Sequence, residues 1–267
     1  LFLFTDPTLQ YNMVSILSPS KTSAEKPLLV GTQRQPALIG ETGKLMEVLK
    51  NMSADDIKSL MKTSDNLTQH TLKLIAELEP KKFTPGHRSA LFSFSGGVYQ
   101  GLRSSDFTEE DLLFAQDHLR ILSGLYGVLR PLDAIQVYRL EMGSSLKTPS
   151  SRSLYAFWGD KITDELNGAI GNSGSSYLLN LASDEYFQSI SAAKIKATVI
   201  HAEFYSLKGG ERKFISFDAK KARGLMARFV IKNRIDDPSG LQYFNYEGYL
   251  YAAKDSTPNS LIFEKEA

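Results

Sequence analysis

Four stretches carry side chains whose types and spacing can do chemistry. The first, "KKARGLMARFVIKNR" (Lys220 to Arg234), has six basic side chains and no acidic one, in a chain whose net charge is only +1. At 100° per residue, Ala222, Leu225, Met226 and Phe229 fall on one apolar stripe, with Val230 at its edge. Lys221, Arg228 and Lys232 line one flank and Lys220, Arg223 and Arg234 the other, with Gly224 expected to be exposed between the rows. Asp218 reads as the N-cap, so Lys220, Lys221 and Arg223 crowd the helix end that is already positive. That arrangement opposes stability unless an anion such as a phosphate sits there. The bland alternative is that these cations pair with acids elsewhere on the chain.

The second stretch, "SPSKT" (18–22), follows a short strand and ends like a phosphate-binding loop, but it lacks both glycines of that pattern. On these residues alone Lys21 is incidental. The third, "FWGDKIT", holds the only tryptophan, Trp158, which reads as core, and places Gly159 inside an apparent helix. Glycine there costs about 1 kcal/mol relative to alanine, so either something approaches closely or the helix bends. Asp160 becomes a candidate for a polar site role. The fourth, "NLASDEYF", puts Asn180 at a strand end, Ser183 at an N-cap, and Asp184 and Glu185 in the first turn of a short helix. Capping accounts for most of this, although paired carboxylates also serve acid–base chemistry. His70, His87, His118 and His201 show no HxxxH or HxH spacing, so no metal site and no cofactor is expected.

The elements that must position these residues read as one compact mixed α/β (α+β) domain. The 267 residues suffice for a substantial core, and 42% hydrophobic with 23% charged content is ordinary for a soluble globular protein. The absence of cysteine excludes disulfides, thiolate metal sites, Fe–S clusters and thiol peroxidase chemistry. No apolar run approaches the roughly 20 residues of a membrane span, and a cytoplasmic location is expected. Strands are predicted at "MVSIL", "SALFSFSGG", "YLLNLA", "KATVIHAEFY", "RKFISFD", "GYLYAA" and "SLIFE". Helices are predicted at "ETGKLMEVLKNM", from Ser53 through "IKSLMKTSDNLTQHTLKLIAEL", at "LLFAQDHLRIL", at "SLYAFWGDKITDELNGAI" and over the basic stretch. Ser53 with Asp56, and Thr108 with Asp111, form capping pairs. "PKKFTPGHR" reads as a loop.

Taken together, "ILSPSKT", "LSGLYGVLRPLDAIQVYRLEMG", "LYAFWGDKIT", "LLNLASDEYF" and "AKKARGLMARFVIKNR" resemble the bacterial YaaA family, in the family's order, from Met13 to about Phe263. Residues 1–12 then read as an addition to a YaaA-like domain over 13–267. The resemblance implies a family-specific mixed α/β fold with a basic cleft and a helix–hairpin–helix element. It also implies binding of double-stranded DNA and protection against peroxide- and iron-dependent damage. Carried over residue by residue, it assigns phosphate contacts to Lys220, Lys221, Arg223 and Arg228, lifts Lys21 above its bland reading, and brings in Arg130 and Arg139. Two segments compete for the hairpin element: the one holding Gly124 and Gly127, which is preferred, and the glycine-free "KTSDN" (62–66).

The leading expectation is therefore a cofactor-free DNA-binding stress protein, in which four phosphate contacts would give a log–log salt slope of roughly −3 to −4. The rival is an enzyme on a phosphorylated or nucleotide-like small molecule, with a pocket built from Lys21, Asp160, Glu185 and Arg223, and with Asn180 and Tyr186 nearby in sequence. Iron handling by carboxylates ranks last, for want of a histidine pattern.

Overall fold

The computed structural model describes residues 12–24, 34–79 and 87–266. The loop expected over "PKKFTPGHR" lies largely outside the described residues, as does nearly all of the expected 1–12 extension. The centre of the fold is an eight-stranded sheet. From one edge, its main path runs Leu250–Tyr251, Ser260–Glu266, Thr198–Lys208, Ser175–Leu181, Asn12–Leu17, Leu119–Ser123 and Gly127–Leu129, and Glu211–Lys213 pairs with Thr198–Lys208 off this path. The five strands from Ser260–Glu266 to Leu119–Ser123 are mutually parallel, and the remaining pairings are antiparallel. Met13, Val14, Ile16 and Leu17 are fully buried, as a continuous apolar run in an interior parallel strand should be.

Strand order reverses at one place. The chain passes from Asn12–Leu17 to Leu119–Ser123 on one side, whereas Ser175–Leu181 lies on the other and leads further away. In open α/β sheets, ligands bind outside the carboxyl ends of the strands at such a reversal. Here the two flanking strands stop together, Leu17 opposite Leu181. Their next residues, Ser18 to Lys21 and Ala182 to Glu185, form the rim of that crevice.

Both capping boxes form: the Ser53 hydroxyl accepts from the Asp56 N–H and the Thr108 hydroxyl from the Asp111 N–H, with each carboxylate reciprocating. Ser53→Ala is expected to lower stability by about 1 kcal/mol, read as a shift in urea midpoint. The long helix expected after Ser53 is two helices, Ala54–Met61 and Asp65–Glu77, because Lys62 turns left-handed at φ +50°. The helix around Trp158 also breaks, into Leu154–Trp158 and Lys161–Ser173, with Gly159 at φ +50°. Nothing lies within 3.4 Å of a Cβ built there, so the glycine serves the bend and not a close approach.

Three expectations need correction. "LRILS" continues no helix: Leu119–Ser123 and Gly127–Leu129 form an antiparallel β-hairpin. Short buried apolar runs read alike in helix and strand, and the sheet supplied the missing partner. The preferred glycine segment is therefore not a helical hairpin. The helix pair about Lys62 remains, and nothing about it indicates a nucleic-acid role. "SALFSFSGG" holds only the two-residue strands Arg88–Ser89 and Phe94–Ser95 around a single tight turn. Finally, "RKFISFD" is strand only through Lys213, and the basic helix already begins at Ser216.

That helix, Ser216–Asn233, packs on the Thr198–Lys208, Ser175–Leu181 and Asn12–Leu17 strands with one face and on the short helix Gly97–Leu102 with another. Gly224 is buried, not exposed as its place between cationic rows suggested. A Cβ on Gly224 would meet the Val98 carbonyl oxygen at 1.8 Å, and one on Gly101 would meet the Lys221 carbonyl oxygen at 2.2 Å. The two backbones touch, which only paired glycines permit. The basic helix is thus clamped on both sides, and its cations leave through the remaining seams.

Candidate functional site

The positions of those cations answer what the basic stretch does. Arg228 grips Asp106 with both terminal nitrogens, each at 2.7 Å. Lys221 lies 2.7 Å from Glu247, while Lys232 and Arg234 reach Asp111 at 2.5 and 2.9 Å. These four are held by carboxylates, the bland reading of a basic run. Because the helix starts at Ser216, Lys220 and Arg223 sit beyond its first turn, and the helix-end argument does not apply to them. Asp218 is not the cap. It accepts from the Ser206 hydroxyl at 3.1 Å and pairs with Lys265 at 3.4 Å.

Lys220 and Arg223 differ from the rest. They line a cavity of about 270 Å³ with Ser18, Lys21, Glu141 and Glu185. It sits in the crevice where strand order reverses. Lys220 is exposed and Arg223 half-buried, and neither has an ion-pair or hydrogen-bond partner among the described residues. Burial lowers the Arg223 guanidinium from its ordinary value, with Asp184 the charge that partly offsets it. Desolvating a cation without a partner is unfavourable, so the site is charged in advance for an anion.

The rim is built by short-range bonds. The Ser18 hydroxyl accepts from the Ser183 N–H at 2.9 Å, tying the ends of the two central strands together. The Tyr99 hydroxyl donates to the Ser18 carbonyl at 3.2 Å, and burial holds its phenol well above the usual range. Lys21 Nζ lies 2.7 Å from Glu141, which also faces Arg139 at 3.3 Å. Glu185 accepts from the Gly143 N–H through Oε1 at 2.9 Å. Tyr186 is buried in the wall and its phenol is raised, by burial and then by Tyr138 and Glu185.

The structure thus gathers Lys21, Glu185, Lys220 and Arg223 at one cavity and leaves four sequence candidates elsewhere. Asp160 accepts from Ser191 at 2.8 Å and Lys194 at 2.5 Å on the surface, and those bonds hold its carboxyl below the usual range. Arg130 follows the edge strand Gly127–Leu129, two strands from Asn12–Leu17, where its backbone N–H donates to Asp133 at 2.8 Å. Lys221 and Arg228 are in the ion pairs above. Glu141, two residues after Arg139 in "YRLEMG", is a wall residue that the sequence does not signal. A carboxylate among apolar neighbours gives no periodic signal, and only the ion pairs with Lys21 and Arg139 mark it. Among the described residues no group of three or more acidic or histidine side chains suits a metal ion. No described helix is long and apolar enough to cross a membrane.

Comparison with known proteins agrees with the resemblance read from the motifs. A UPF0246 protein of Tolumonas auensis is 47% identical over 254 residues, covering 95% of this chain and 98% of the relative. A family model described as peroxide stress protein YaaA matches residues 13–255. The matched span contains every strand and helix that builds the cavity, and the chain belongs to the peroxide stress protein YaaA family.

Proposed function

We propose that the chain serves the peroxide stress response by binding, and acting on, a small phosphorylated molecule in the cavity between Lys21, Lys220 and Arg223. One observation carries this reading: Arg223 is a half-buried cation with no hydrogen-bond or ion-pair partner among the described residues, only the field of Asp184 offsetting its burial, and it lines a crevice where α/β sheets take their ligands. Lys220 and Arg223 hold the phosphate, Arg223 by its planar fork. Glu185, pinned through one oxygen by Gly143, offers the other to a proton of the ligand. The test is calorimetric titration with ribose 5-phosphate and inorganic pyrophosphate. Arg223→Ala is expected to weaken binding about 10- to 100-fold, the loss of charged hydrogen bonds worth about 1.5–3 kcal/mol. Its Tm should hold or rise, since an uncompensated cation has been removed. Unchanged affinity in Arg223→Ala, or no phosphate binding by the wild type, overturns the reading.

Duplex DNA is the second reading, favoured by Lys220, which is exposed and has no carboxylate partner among the described residues. With Lys221 and Arg228 occupied by carboxylates, two or three cations remain for phosphates. The log–log salt slope is then roughly −2 to −3, shallower than four contacts would give. Fluorescence anisotropy with a short duplex across a salt series measures it. A flattening of about two units in Lys220→Ala/Arg223→Ala supports DNA, whereas displacement of the duplex by free nucleotide at low salt returns the site to the small molecule.

A further inference from the structure

Arg223 lines a second cavity as well, of about 450 Å³, whose other walls include Asn180, Asp184, His201, Glu203, Tyr205 and Phe214. The two cavities differ in charge. The first sets Lys21, Lys220 and Arg223 against Glu141 and Glu185, one cation in excess, while the second sets Arg223 against Asp184 and Glu203, one carboxylate in excess. A phosphate is attracted to the first and repelled by the second. We propose that Arg223 joins them into one site for a nucleoside phosphate, with the phosphate against Lys220 and the nucleobase in the second cavity. This rests on the phosphate reading above and names the ligand class.

The second cavity has the equipment for a base. Hydrogen bonds around Asn180 fix the local polarity. Its Oδ1 accepts from the Ala182 N–H at 2.9 Å, so its Nδ2 is the donor at 3.1 Å from His201 Nδ1. His201 must accept through Nδ1, and in its neutral form carries its proton on Nε2. Glu203 accepts from the Tyr205 hydroxyl and the Ser260 hydroxyl, each at 2.7 Å. The Tyr205 bond, followed by that of Ser260, holds its carboxyl below the usual range, so it remains an acceptor. A donor at His201, the fork of Arg223 and acceptors at Glu203 and Asp184 match the mixed edge of a base. Phe214, 60% exposed with its ring set edge-on to Tyr205 at 6.4 Å, offers an aromatic face. Bases stack on such faces in protein sites.

Calorimetry with adenosine 5′-monophosphate and ribose 5-phosphate tests the inference, because the two ligands share the phosphate and sugar and differ only in the base. The nucleotide is expected to bind about tenfold or more tightly. Phe214→Ala, at an exposed position where folding is not at stake, should reduce that excess to less than about threefold. Glu203→Gln should do the same, and both should leave ribose 5-phosphate affinity unchanged. Equal affinity of the two ligands, or an excess that survives both substitutions, overturns the inference while the phosphate site stands. Failure of both ligands to bind takes the phosphate reading down with it.

Discussion

Gly224→Ala is expected to destabilise the protein by more than about 3 kcal/mol, or to prevent its folding, although the change adds one methyl group to a helix. The added carbon would lie 1.8 Å from the Val98 carbonyl oxygen and 2.8 Å from its carbonyl carbon, both backbone atoms that cannot rotate away. Relief requires the helices Gly97–Leu102 and Ser216–Asn233 to separate, reopening a seam in which the backbones of Lys221 and Leu225 abut Gly101. Overpacking of this kind exceeds the usual range of about 1–3 kcal/mol because no rotamer change absorbs it. Gly168→Ala is the control. It lies inside the helix Lys161–Ser173 with nothing within 4 Å of a Cβ, so alanine should stabilise by about 0.5–1 kcal/mol. Urea unfolding of both variants reads the opposite signs, and equal effects would remove the close-approach argument. The same contact sets the place of Lys220 and Arg223, since a displaced basic helix would carry both out of the crevice.

The second large effect is at Asp111. Its carboxylate is 5% exposed and binds Lys232 and Arg234 while capping its own helix through Thr108. Burial alone would raise its pKa, but bonds from Lys232, the Thr108 N–H and Arg234 outweigh burial and hold it at about 2. Asp111→Ala removes the carboxylate half of the capping box and leaves two cations facing a vacated pocket. The expected loss is about 2–4 kcal/mol, below the full value for a buried pair because both cations are partly solvated. The pH dependence follows from the depressed value. An unfolded aspartate titrates near 3.9, so this carboxylate's contribution is complete above about pH 4 and disappears as pH falls through about 2. Wild type and Asp111→Ala should therefore converge in stability below pH 2 and differ fully at pH 7. A constant gap across that range would show that packing, not charge, is lost.

Several features were legible in the residues because their causes are local. A run such as "MVSIL" is apolar on both faces and becomes an interior parallel strand. Ser53 with Asp56, and Thr108 with Asp111, cap helices through atoms three residues apart, which no distant partner needs to supply. The motifs also sufficed to identify the family, since their order and spacing are themselves sequence properties.

Tertiary structure decided which charges are free. The helical wheel sets Lys221 and Arg228 on one flank and Lys220 and Arg223 on the other, but it does not say which row is free. Two of them meet carboxylates more than 25 residues away in the chain, Glu247 and Asp106, and two meet a cavity. Gly224 reads as a gap between charged rows until Val98, from a separate helix, fills it. Leu119–Ser123 became a strand because Asn12–Leu17 offered a parallel partner. Local sequence fixes what a side chain can do, but its net charge, burial and partners depend on contacts between distant segments, and those exist only once the sheet has brought Leu17 and Leu181 side by side.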